Sequence, residues 1–340
     1  MTTFNEIRGT AIESVSSDPS NPELGQIWYN NTIGVLKGYK VLAGTWASGG
    51  NRGTARTLSA SAGASVSANL SFGGYNPSTF STQTATEEYD GTSWTAGGSL
   101  NSPLGLDSAG GCGTQTAALS ATGKSGGAPT GYTFPTIANS FEYDGSAWTS
   151  GGNVGTARTV AGSSGTQTSA LLFGGSTYPT PGSSATEEYD GSTWTAGGSL
   201  PQAIQRLTGT GTQTATIQAG GHENNPTSTD LNVTNYYNGT SWTAQTAINT
   251  ARNALGSAGI QTSAVIYGGY QYTNPPIGST AATETWDGIA WKTEASMPAA
   301  NSNSQSPTST SASDALALTG PTTTAEWTGP SIQTQKITTS

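Results

Sequence analysis

The chain has 340 residues, of which 33% are hydrophobic and only 9% charged, with 47 Gly, nine Trp and thirteen Tyr. A formal charge of −9 with eleven scattered Lys and Arg argues against nucleic-acid binding, which needs clustered cations to displace counterions. No apolar run approaches the roughly 20 residues of a bilayer span, and composition poor in charge but rich in regularly spaced aromatics favours short strands and tight turns over disorder.

Residues 1–38 stand outside the pattern that follows and form an N-terminal arm. Asp18-Pro19-Ser20-Asn21-Pro22 collects turn formers, and Gly25-Gln26-Ile27-Trp28-Tyr29-Asn30 carries one short apolar strand. The Gly-x-x-Trp-Tyr-Asn run resembles segments preceding display domains in structural proteins of tailed-phage virions. That resemblance implies an arm that docks on another virion protein, beside the plainer expectation of an arm packed on its own domain. The start of the chain lacks a basic-then-apolar leader, which predicts synthesis in a cytoplasm, and lone Cys112 offers no intrachain disulfide.

From residue 39 to 329 the sequence repeats. Trp46, Trp94, Trp148, Trp194, Trp242 and Trp291 are separated by 48, 54, 46, 48 and 49 residues, a period that points to propeller blades. The copy ending at Trp194 predicts a first strand around Ala157–Ser163, a Gly165-Thr166-Gln167 turn and a second strand Ser169–Phe173 closed by Gly174-Gly175. A variable loop then leads to a third strand Ala185–Tyr189, and Asp190-Gly191 turns into a fourth strand carrying Trp194. Asp90-Gly91, Asp144-Gly145, Asn238-Gly239 and Asp287-Gly288 repeat that turn, read as a two-residue type I′ hairpin. The aromatics Tyr89, Tyr143, Tyr189, Tyr237 and Trp286 each stand five residues before a repeat Trp.

The last unit has strand-like Ala315–Gly320 and Thr324–Trp327 but no fourth-strand Trp. The segment 41–46 supplies it from the other end, so the chain is expected to be an all-β, six-bladed propeller of four-stranded blades, closed by an N-terminal strand and followed by a tail, 330–340. The Gly-Gly, the aromatic before the turn and the following Trp resemble Kelch-type repeats, with a shorter aromatic-to-Trp interval. The resemblance implies the fold, and Kelch-type propellers serve too many roles for it to imply one.

The chemistry of catalysis is sparse. His222 is the single histidine, expected as a solvated loop residue, and it cannot build a multi-histidine metal site with Cys112. The paired carboxylates Glu87-Glu88 and Glu187-Glu188 have the composition of a glycosidase pair, but they recur at equivalent positions, which favours structure. Arg56, Arg158 and Arg252, each ten residues after a repeat Trp, are expected to bond between strands or blades with Glu88, Glu142 and Glu188. No cofactor, metal or enzyme activity is expected.

Alternating strand direction puts the long, variable loops between second and third strands on one face. Their Tyr75, Phe80, Tyr132, Phe134, Tyr178, His222, Asn224, Tyr270 and Tyr272 make that face the candidate partner surface, since exposed aromatic rings suit glycans and proteins alike. The leading expectation is a non-enzymatic phage virion protein on tail, fibre or capsid, contacting other virion proteins through residues 1–38 and a host glycan or protein through the loops, with lysis as its exit. The alternative is a secreted or cell-surface carbohydrate-binding propeller.

Overall fold

A computed structural model describes residues 12–20, 22–102, 106, 108–126, 135–177, 182–223, 228–273, 276–302 and 311–337. The described residues are all-β and divide into two compact units, 45–328 on one hand and 1–44 with 329–340 on the other.

The larger unit consists of successive antiparallel sheets. In the third, Gly162–Thr166, Ser169–Phe173, Thr186–Tyr189 and Trp194–Ala196 pair in chain order. The first strand therefore lies later than the expected Ala157–Ser163, because Val160 takes a left-handed conformation (φ 49°) that a strand cannot continue through. The first, second, fourth and fifth sheets repeat this order. Their first strands, Ala60–Ser65, Gly110–Thr114, Gly162–Thr166, Thr208–Thr212 and Gly256–Ile260, lie side by side in sequence. The sixth sheet has three strands among the described residues, Asp314–Leu318, Thr324–Thr328 and Thr45–Ser48. Asp314–Leu318 contacts the first strands of both the fifth and first sheets.

Each repeat Trp stands directly opposite its third-strand aromatic, as in Trp94 against Tyr89 and Trp46 against Trp327. Their rings lie 4.9–5.3 Å apart in all six sheets. The five-residue interval thus encloses a four-residue loop, not the expected two-residue type I′ turn. In it Asp90 Oδ1 accepts the backbone N–H of Thr92 and Ser93, both at 2.8 Å, while only Gly91 takes positive φ (93°). The aspartate side chain closes the turn, so its own backbone need not be left-handed.

Neighbouring sheets are joined by the repeat itself. Adjacent strand residues face opposite ways, so each Glu-Glu-Tyr run splits its functions. Tyr143 Oη donates to Glu88 Oε1 of the preceding sheet at 2.6 Å, Tyr189 to Glu142 and Tyr237 to Glu188 both at 2.5 Å, and Tyr89 to Glu326 across the two chain ends. Trp286 replaces tyrosine in the fifth sheet, and its partner changes with it: indole Nε1 donates to Tyr236 Oη, which stands in the glutamate position. Gln115, Gln167, Gln213 and Gln261, from the first turns of the second to fifth sheets, donate to two carbonyls each of the sheet before. Sequence reading took that turn as mere punctuation.

In the smaller unit, Glu13–Val15, Ile27–Asn30, Val35–Leu42 and Ser331–Lys336 form one sheet in that order, the first pair parallel. Val41 and Leu42 pair here with Ile332 and Ser331, so the strand that completes the sixth sheet is Thr45–Ser48 and not 41–46. The two units divide at 44/45 and 328/329, and Ser331–Lys336, within the segment expected as a tail, is a strand. Asp18 organises this sheet, accepting from Trp28 Nε1 (3.1 Å), Asn30 Nδ2 (2.9 Å) and Lys37 Nζ (2.5 Å). The Lys37 bond, aided by Asn30 and Trp28, brings the Asp18 carboxyl down to about 2. No helix among the described residues is long and apolar enough to cross a membrane.

Candidate binding face

The links that return the chain from fourth strand to next first strand end in a recurrent strained residue. Leu58, Ser108, Val160, Arg206 and Ala254 all hold φ between 49° and 55°. Such a conformation costs a non-glycine residue about 1 kcal/mol or more and persists only where its surroundings enforce it. The enforcement is a relay of backbone hydrogen bonds: Ser108 N–H donates to Leu58 O (2.9 Å), Val160 to Ser108 (3.0 Å), Arg206 to Val160 (3.0 Å) and Ala254 to Arg206 (2.8 Å). One link thereby positions the next through five sheets. Leu58, Val160, Arg206 and Ala254 line, with the first strands, a cavity of about 50 Å³, room for a few waters.

In four of the five sheets the residue just before the strained position pairs with the residue after the Gly-Gly of its own sheet. Thr57 bridges to Tyr75, Thr159 to Ser176, Gln205 to His222 and Asn253 to Tyr270. Tyr75, Ser176, His222 and Tyr270 are thus equivalent positions at the base of the variable loops, which places those loops on the same side as the relay.

The loops of the fourth and fifth sheets form one cluster. Asp230 is 4% exposed and accepts from Asn253 Nδ2 (2.7 Å), Tyr272 N–H (2.5 Å) and Thr273 N–H (3.2 Å), with His222 Nδ1 at 3.1 Å. A carboxylate so placed selects the imidazole tautomer with its proton on Nδ1. His222 is buried rather than solvated, a correction to the sequence expectation, because Asp230 and Ser228 Oγ (2.9 Å from Nε2) satisfy both ring nitrogens. Above it the His222 and Tyr272 rings lie 5.1 Å apart, and Tyr272 packs on Tyr270 at 4.5 Å. Arg206 Nη1 donates to Tyr272 Oη at 3.3 Å. Tyr272 remains 40% exposed, so a rigidly braced ring and a cation face solvent together. In the first sheet Phe80 is 57% exposed at a positive φ of 53°, beside the Tyr75–Asn76 and Ser81–Thr82 hairpin. Tyr132, Phe134, Tyr178 and Asn224 lie outside the described residues. Sequence reading missed Asp230 and Arg206; an acid eight residues after the sole histidine was the available signal.

The carboxylates that composition offered for hydrolysis are engaged elsewhere. Glu87 Oε2 pairs with Arg56 at 2.8 Å, while its Oε1 accepts from Gly53 (2.6 Å) and Thr54 (3.1 Å). Arg158 pairs with Glu187 at 2.8 Å, and Arg252 with Glu284. These arginines therefore bond within their own sheets to the first glutamate of each run. Glu88, Glu142 and Glu188, expected as their partners, face the other way toward the next sheet's tyrosine. No protein-family model and no curated protein sequence matches this chain.

Proposed function

We propose that residues 45–328 form a closed, six-bladed, Kelch-like β-propeller acting as a non-enzymatic binding module, and that the protein is a virion component of a tailed phage on tail, fibre or capsid surface. The ring reading is supported by hydrogen bonds between neighbouring sheets, including those from sixth to first through Arg56 N–H to Pro321 O (2.9 Å) and Tyr89 to Glu326. The observation that carries the binding reading is the braced Arg206–Tyr272–Tyr270 surface, seated on a backbone relay that fixes the loops at their bases. Rigid aromatic rings lose little entropy on contact, so such a surface suits a glycan or protein of the host. The virion setting rests on the Gly25–Asn30 run of the arm, with residues 1–38 contacting other virion proteins.

Labelling purified phage particles with an antibody to this chain tests the setting: decoration at one site is expected, and particles free of the protein overturn it. Binding of particles to host cells tests the face. Phe80→Ala with Tyr272→Ala is expected to weaken attachment at least tenfold with little change in melting temperature, and unchanged attachment removes the face from the proposal.

A further inference from the structure

The residue six positions after each repeat Trp packs between sheets. It is Leu100, Val154, Leu200, Ile248 or Met297 in five of them, all buried. In the first sheet it is Arg52, only 3% exposed. No carboxylate lies within ion-pair reach of Arg52 among the described contacts. Its Nη1 donates to Ser59 and Ser71 Oγ at 3.0 and 3.1 Å, and its Nη2 to the carbonyls of Arg56, Gly320 and Pro321 at 2.8–2.9 Å. Its Nε, buried, has no partner. The neighbouring Arg56 carries a second guanidinium whose Nε is likewise buried and unpartnered. The acid that acts on both is Glu87, already engaged by Arg56 and two backbone N–H groups. Burial, with repulsion from Arg56, brings Arg52 down to about 9. A buried guanidinium in excess of its acids is costly unless something anionic meets it.

Both arginines line a cleft of about 250 Å³ between the sixth and first sheets, with Thr57, Ser59, Asn301 and Ser302. That room exceeds what a small oxyanion needs, and hydroxyl and amide groups are suited to its remaining acceptor sites. We infer that this cleft is a binding site for a small oxyanion, phosphate or carboxylate, attracted by the buried charge of Arg52 and Arg56 and met by the hydroxyl and amide groups of the lining. Position and chemistry are independent of the loop cluster, so the inference stands apart from the partner surface proposed above. An occupant would also tie together the two sheets where the chain ends meet.

Thermal melts of the full chain in phosphate or acetate, each against chloride at matched ionic strength, test it. With either anion the native protein is expected to gain about 2–4 °C for each tenfold rise beyond half-saturation. Arg52→Met, which installs the residue found at the equivalent Met297, is expected to abolish the gain, whereas Arg206→Met keeps it. Should Arg52→Met not fold, Arg52→Lys is read instead, with an expected affinity at least fivefold weaker. No anion-specific gain in the native protein, or an undiminished gain in the Arg52 variant, overturns the site.

Discussion

Replacing Tyr143 by Phe removes one hydroxyl and leaves the ring in place, fully buried and 5.0 Å from Trp148. No cavity opens, so the loss is that of the bond to Glu88 Oε1 at 2.6 Å. A hydrogen bond to a charged acceptor contributes about 1.5–3 kcal/mol net, and Glu88 is partly open to water, which places the expected cost near 2 kcal/mol. Glu88→Gln keeps an oxygen acceptor without the charge and is expected to cost about 1 kcal/mol. The double variant then falls short of additivity by about 1 kcal/mol, because both substitutions spend the same interaction. Urea unfolding followed by tryptophan fluorescence reads this as a shift in midpoint at unchanged slope. A Tyr143→Phe effect under 0.5 kcal/mol, or full additivity, would refute the inter-sheet role of this pair.

Gly98→Ala places a Cβ 2.0 Å from the Ser146 carbonyl oxygen of the next sheet, and it is expected to cost about 1–3 kcal/mol in the same assay. Ala254→Gly, which normally destabilises, is expected to be neutral or stabilising by up to about 1 kcal/mol, since it relieves a φ of 54°; a melting temperature lowered by several degrees would count against strain there. Backbone N–H groups, first those of Ser93, Ala147, Thr193 and Ala290, hold Asp90, Asp144, Asp190 and Asp287 below the usual 3.8. The stability they add is complete above the unfolded-state value and lost as pH falls through the depressed folded values; replacing all four by Asn, as nature has at Asn238, should flatten acid melting curves below pH 4. Burial, reinforced by the neighbouring glutamate, pushes Tyr89, Tyr143, Tyr189 and Tyr237 up to about 12. Their raised values add stability that is present below pH 10 and lost as pH rises to 12, and ultraviolet titration should show these four ionising later than a free tyrosine.

The aromatic period located every repeat Trp and its partner because a cross-strand ring pair needs fixed spacing, whatever the loop between. It did not reveal the loop's length: Asp-Gly reads as a two-residue turn until the aspartate side chain is seen accepting two N–H groups. Which glutamate meets arginine depends on strand parity, and a start misplaced by one residue exchanges Glu87 for Glu88. The strained links were illegible, because Leu58, Val160 and Ala254 have no intrinsic preference for positive φ and are held there by neighbours distant in sequence. The site residues fared likewise. The loop tyrosines stood out by type, whereas Asp230 and Arg206 gain meaning only once the fourth and fifth loops meet. Arg52 was passed over since its departure from an apolar position shows only when six repeats are superposed.

The proposed closure of a ring through the two chain ends can be tested by a disulfide. Thr45 and Thr328 are both exposed and lie directly opposite in the sixth sheet. Opposed antiparallel residues have Cα atoms about 4.5–5.5 Å apart, inside the span that a disulfide accepts. In the Thr45→Cys, Thr328→Cys protein, mild oxidation should give a quantitative intramolecular link by mass spectrometry, with a raised melting temperature. Cysteines that stay reduced in the native protein, or that link only between molecules, would contradict a sheet built from both ends of the chain.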